Sequence, residues 1–311
     1  MIFSEHFFEH IEYPAPIERM LAGLRPGGIL SFSVPDTEWP LLDTKMAKMN
    51  LKVIRSKAKQ YYQLVRHFES PFLVLLARLG WINVACCQFH IRKGGSEYCM
   101  LARARGGDLW ILREVMVEET YRPILDLLPT RPIRVVDIGA HIGAFMIWLH
   151  RQHVIDEAFC FEPDSDSFNL CQFNLHQNGC DNVWPYKQAI GGSTRESEIW
   201  MDNVTHARSS LHKRVTSSTS HQHSKVRVIA LSEWLEGVQE NFDLLKMDCE
   251  GSEWEILDAA PAAFTRFSII VAEIHAAPDG KRTIDDFALA LSRHGFITVT
   301  SDKLYIGRRR P

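Results

Sequence analysis

From Ile133 onward, short apolar runs alternate with longer stretches in which apolar residues recur at helical spacing. Residues 133–137, 158–162, 183–188, 226–229 and 268–275, and the run opening at Phe242, have the length and density of buried strands. Between them the pattern predicts a helix from about residue 144 to 152 and another from 164 to 178 with Gly179 as its C-cap. A helical turn over 231–235 and a helix opening after Gly251 follow. This alternation calls for a doubly wound, mostly parallel sheet with helices on both faces. A helix over 283–294, capped by Gly295, and strands over 296–300 and 303–306 close the chain as an antiparallel hairpin. Arg308, Arg309 and Arg310 read as a solvated tail.

Upstream the pattern changes. Residues 110–128 predict one or more helices, ended by Pro129 and Pro132. Residues 86–91 and 97–104 alternate as a hairpin turning about 92–96, placed to cover the edge of the following sheet. Residues 37–80 are helical in pattern, basic over 45–59, with an apolar face from Tyr61, Tyr62, Leu64, Val65 and Phe68 that would pack on a neighbouring domain. The division is a leader over 1–80, a hairpin and linker over 81–107 and a main domain over 108–311. Residues 201–225, rich in Ser, Thr and His, break the rhythm and read as one long loop, a lid over the site.

The 311 residues are 46% hydrophobic, as in ordinary globular proteins, and a formal charge of -3 gives no electrostatic footprint for nucleic acid. Nucleic acid is therefore disfavoured as a partner. The seven cysteines are odd in number, form no C-x-x-C pair and mostly lie in apolar segments, which points to reduced thiols. No apolar run reaches the ~18 residues of a spanning helix, and the N-terminus does not read as a signal peptide, so a cytoplasmic location is expected. Self-association is left open.

The chemistry concentrates at strand ends. Asp137 closes the first strand, and Gly139 and Gly143 follow in a D-x-G-x-x-x-G turn. A dinucleotide turn would present its helix to a pyrophosphate; an acid here would repel phosphate but hold an amino group. The ligand is therefore cationic at one end, as the methionine part of S-adenosyl-L-methionine is. Glu162 closes the second strand about twenty residues further on, where an acid accepts ribose hydroxyls in doubly wound folds. Asp248 and Glu250 close the strand from Phe242, and Glu273 and His275 close the strand over 268–275. All should face one crevice. Glu253 and Glu255 are explained by the dipole of the helix they open. Clustered Asp248, Glu250 and Glu273 leave a Mg²⁺ site open, whereas the histidines His206, His212, His221 and His223 have no partner acid or cysteine at ligand spacing, and no metal ligand is assigned.

Val135 to Phe145, Phe161 to Asp164, Ala189 to Gly192, Ser209 to Leu211, Leu245 to Trp254 and Ala272 to His275 read V-V-D-I-G-A-H-I-G-A-F, F-E-P-D, A-I-G-G, S-S-L, L-K-M-D-C-E-G-S-E-W and A-E-I-H. In this order they resemble the FkbM family of class I S-adenosylmethionine-dependent methyltransferases, with a Rossmann-like fold, over about two-thirds of the chain. Cys249 stands where many members have Val. The resemblance implies O-methylation of a hydroxyl on a sugar, glycolipid or polyketide-type metabolite. Asp137, Gly139, His141, Gly143, Glu162, Ala189 and Asp248 would bind the cofactor. His275 is the expected general base, with Asp248 the alternative, and Asp248 and Glu250 position the acceptor hydroxyls and the cofactor's methionine end. Residues 1–36 resemble the later half of a small-molecule methyltransferase domain, without a glycine turn of their own. A non-catalytic cofactor-binding or scaffold protein is the rival reading.

Overall fold

The computed structural model describes residues 68, 86–103, 107–202, 209–210, 221–277, 280–299 and 304–310. The leader expected over 1–80 lies outside them, Phe68 excepted. Strands β1 (Cys86–Lys93) and β2 (Ser96–Arg103) form the expected hairpin. Gly94 and Gly95 turn it at φ 59° and 86°, the paired left-handed conformation that a two-residue turn requires.

After it come α1 (Asp108–Leu112), a π-helical turn over Arg113–Val117 and a 3₁₀ turn over Arg122–Leu127. Next are β3 (Ile133–Ile138), α2 (Ala144–Gln152), β4 (Ile155–Phe161), α3 (Ser165–Gln177) and β5 (Val183–Tyr186). The hairpin packs on helices and does not cover a sheet edge. Asn174 on α3 accepts from Leu101 N–H at 2.7 Å and donates to Leu101 O at 2.9 Å, and Asn178 donates to Cys99 O at 2.7 Å. The physical reason lies in α2: Ala144 to Leu149 are all buried, so the helix needs an apolar partner on both faces. The sheet supplies one, and Tyr98, Met100 and Ala102 of β2 join the same core.

The chain continues through β6 (Ala189–Gly191), β7 (Arg195–Asp202), β8 (Ser209–Ser210), β9 (His221–Ala230) and α4 (Leu231–Glu236). It ends with β10 (Phe242–Met247), α5 (Ser252–Ala259), β11 (Phe267–Glu273), α6 (Ile284–Ser292), β12 (Phe296–Thr298) and β13 (Leu304–Arg309). The main sheet is seven-stranded in the order β12-β13-β11-β10-β3-β4-β5. β11, β10, β3, β4 and β5 run parallel, and β13 is antiparallel to both of its neighbours. All six residues of β10 are buried, as a central strand covered on both faces requires.

The fold departs from the sequence pattern at two further places. The nine described residues of the segment read as one loop over 201–225 are strand: β7 and β9 pair antiparallel from Arg195↔Val228 to Asp202↔His221, β8 pairs with β7, and residues 203–208 and 211–220 lie outside the described ones. Among the described residues the ribbon places Ile199, Val226 and Val228 in a small core with Ala189, and Arg195, Glu196, Glu198, Lys225 and Arg227 are interspersed with such positions along its strands. Arg308 and Arg309 are also strand, paired with Ile269 and Phe296, with their side chains exposed. Among the described residues, no helix is long and apolar enough to cross a membrane, and the seven cysteines are free thiols.

Candidate active site

The exits of β3, β4 and β10 meet at the carboxyl end of the main sheet, where open α/β sheets bind ligands. Gly139 turns the chain at φ 82°. A Cβ there would stand 1.9 Å from the Asp248 carbonyl oxygen, so the β3 turn and the β10 exit approach as only glycine permits. Asp248 N–H donates to Ile138 O at 3.0 Å across the same junction. His141 (φ 51°) and Glu250 (φ 54°) adopt the left-handed conformation without being glycine, which costs about 1–2 kcal/mol each. Both line the crevice, in keeping with strain held at functional sites.

Glu162 is 6% exposed. Its Oε2 accepts from His141 N–H at 2.9 Å and its Oε1 from Asp164 N–H at 2.8 Å. Burial pushes its carboxyl up to about 7, although these two donors pull the other way. A carboxylate offers about four acceptor sites, so lone pairs remain after both bonds.

Gly139, His141, Glu162, Ala189, Asp248 and Glu250 line one crevice, joined by Phe161, Ile190 and Ile111. Asp137, Gly143 and His275 do not line it. Asp137 is fully buried, and Lys246 on the adjoining strand, its register partner, brings Nζ to 3.1 Å from Oδ1. The ammonium also donates to Gly139 O at 2.6 Å. Burial raises the Asp137 carboxyl. Burial works against the lysine's charge too, but Asp137 and Asp248 raise its pKa and keep it an ammonium. Lys246 was missed in the sequence because a lysine inside an apolar run carries no spacing signal. Gly143, at φ 83°, ends the turn beside Cys171, whose Sγ would stand 3.2 Å from an added Cβ.

His275 sits behind Glu250. Its Nε2 is 3.4 Å from Glu250 Oε2 and its Nδ1 3.1 Å from Glu253 Oε1. Burial disfavours the imidazolium, but Glu253 and Glu250 outweigh it and raise the pKa to about 9. The ring is therefore protonated at neutral pH. Glu253, beyond its place at a helix start, accepts from Cys249 and Gly251 N–H at 2.9 Å each. Burial opposes its charge, yet His275 brings its pKa below the ordinary value. Glu255 likewise pairs with Arg195 and accepts from Gly192 N–H at 3.0 Å. Burial and Asp248 raise Glu273 to about 7. Among the described residues, no three His, Cys, Asp or Glu side chains are grouped to hold a metal ion.

A parallel sheet closed by an antiparallel hairpin, with acids gathered at its carboxyl end, is the architecture of the class I methyltransferases. The chain belongs to the FkbM methyltransferase family: the model of the methyltransferase FkbM domain matches residues 137–298, just over half of it. Among solved structures it is similar to methyltransferase FkbM from Methylobacillus flagellatus KT, at 15% identity and TM-score 0.39, over 64% of this chain and 53% of that one. It is similar to a methyltransferase from Geobacter sulfurreducens, at 18% identity and TM-score 0.38, over 65% and 88%. An rRNA methylase from Streptococcus thermophilus is matched at 10% identity and TM-score 0.37, over 62% and 95%. No curated protein sequence matches the chain.

Proposed function

We propose that the protein is an S-adenosyl-L-methionine-dependent O-methyltransferase whose acceptor is a hydroxyl of a small molecule or glycan. The observation that carries this reading is Glu162, buried, with both oxygens fixed by backbone N–H groups and lone pairs left for a vicinal diol. The residues present fit the cofactor. Glu162 would accept the ribose hydroxyls, and Phe161, Ala189 and Ile190 offer an apolar wall to the base. Gly139 lets the turn after β3 pack directly against the Asp248 backbone, which sets Asp248 beside that turn in the crevice wall. Asp248 would receive the cationic amino end, while Asp137 supports the same turn through Lys246.

When bound, the sulfonium supplies an electrophilic methyl carbon for in-line displacement. The protein's part is to orient the acceptor oxygen and to take its proton as the bond forms. His275, already protonated at neutral pH, holds Glu250 in place, so Glu250 becomes the proton acceptor in this reading. Ile199 brings the β7–β9 ribbon into the crevice wall, and that ribbon carries the segment expected to close over the acceptor.

The test is methyl transfer from labelled S-adenosylmethionine to a panel of sugar, glycolipid and polyketide hydroxyls, with transfer RNA and ribosomal RNA in parallel. Label on a hydroxyl acceptor, reduced in Glu250→Gln, supports the reading. Label on RNA alone overturns the acceptor class, and a protein that does not bind the cofactor overturns the reading whole.

A further inference from the structure

We propose that Arg103, at the end of the N-terminal hairpin and outside the matched family domain, is a positioning residue for the cofactor site and sets the geometry of Glu162. This rests on the cofactor reading above. Arg103 is 8% exposed. It clasps the fully buried Asp108 with Nε on Oδ2 at 2.9 Å and Nη2 on Oδ1 at 2.8 Å, and its own backbone N–H donates to Asp108 Oδ2 at 2.8 Å. So anchored, the guanidinium reaches three further side chains: Nη2 is 2.9 Å from His141 Nε2 and 3.0 Å from Ser167 Oγ, and Nη1 is 3.9 Å from Asp164 Oδ1.

Those partners bracket Glu162. His141 and Asp164 are the two residues whose N–H groups hold its carboxylate, and Ser167 N–H donates to Asp164 Oδ1 at 2.8 Å at the start of α3. One guanidinium thus ties together the turn after β3 and the start of α3, the two segments that grip Glu162 from either side. His141 holds a left-handed backbone conformation, which persists only where the surroundings over-determine it. The bond from Arg103 is such a constraint. The hairpin is then part of the cofactor site, and α1 adds Ile111 to the crevice wall.

The experiment is calorimetric titration of S-adenosylmethionine into the full chain. Arg103→Met with Asp108→Asn removes both charges of the clasp at similar volume, so Asp108 is not stranded as an unpaired buried ion. If that variant is unfolded by circular dichroism, Arg103→Lys, which keeps charge beside Asp108 but lacks the fork, takes its place. Affinity should fall about tenfold or more, as for loss of a charge-assisted bond. Adding Glu162→Gln should weaken binding little further, since residues acting through one another are not additive. Arg92→Ala, at an exposed pair on the same hairpin, should bind as wild type does. Unchanged affinity, full additivity with Glu162→Gln, or an equal loss in Arg92→Ala would each overturn the proposal. A wild-type protein that does not bind the cofactor overturns the parent reading; binding that survives loss of Arg103 overturns only this one.

Discussion

Replacing Glu162 by Gln should flatten a pH dependence of stability that the buried carboxyl creates. Moving a carboxyl from 4.5 to about 7 is worth about 1.4 kcal/mol for each pH unit. Because the folded-state value is raised, the stabilisation is fully present below about pH 4.5 and is lost as pH rises through about 7. Between pH 5 and pH 8 the wild type should therefore lose about 2.5 kcal/mol that the variant does not. Urea denaturation of both proteins at the two pH values isolates this difference, since the other titrating groups are common to both. Ribose hydroxyls would donate to the ionised carboxylate, so cofactor binding should lower its pKa and release about half a proton near pH 7. Calorimetry in two buffers of different ionisation enthalpy measures that release. Parallel stability curves for wild type and variant, or binding with no proton released, would refute the reasoning.

The histidine gives the second pH signature. His275 is raised from 6.5 to about 9, so its stabilisation is complete below about pH 6.5 and lost as pH rises through about 9; His275→Gln should remove roughly 3 kcal/mol of that slope in denaturation experiments. If His275 itself were the general base, kcat/KM would climb about tenfold per unit towards pH 9; a profile without that climb excludes it as the base. Lys246→Met should destabilise by about 3–5 kcal/mol by stranding Asp137, and Lys246→Met with Asp137→Asn should recover much of it, as read by thermal and chemical melts. Gly139→Ala should cost about 2 kcal/mol or more, because φ is 82° and the new methyl meets Asp248 O; a variant as stable as wild type would contradict the close approach.

The strand–helix alternation was legible because parallel strands buried on both faces are apolar throughout, as β10 is. α2 was placed to the residue for a related reason: Gly143 opens it, and six buried residues in succession mark a core helix. β7, with Arg195, Glu196 and Glu198, was not seen, because an antiparallel ribbon with one wet face needs few apolar positions. In the site, the acids Glu162, Asp248 and Glu250 could be read from their positions at strand ends. What pairs with them could not. Lys246 meets Asp137 through lateral register between β10 and β3, and Arg103 reaches His141 from 38 residues away. Both are contacts of the folded chain with no fixed sequence spacing. His275 shows the same limit: its position at a strand end was legible, but the two carboxylates that hold it protonated come from a turn and a helix packed against it.

In the proposed reading the crevice holds S-adenosylmethionine through Glu162. Titrating S-adenosylmethionine, and separately NAD, into the wild type and Glu162→Gln by calorimetry tests it most directly. Saturable binding of S-adenosylmethionine to the wild type, weaker by about tenfold or more in the variant and absent for NAD, is the expected result. No binding by the wild type, or equal binding by both proteins, would rule out Glu162 as the cofactor's anchor in this crevice.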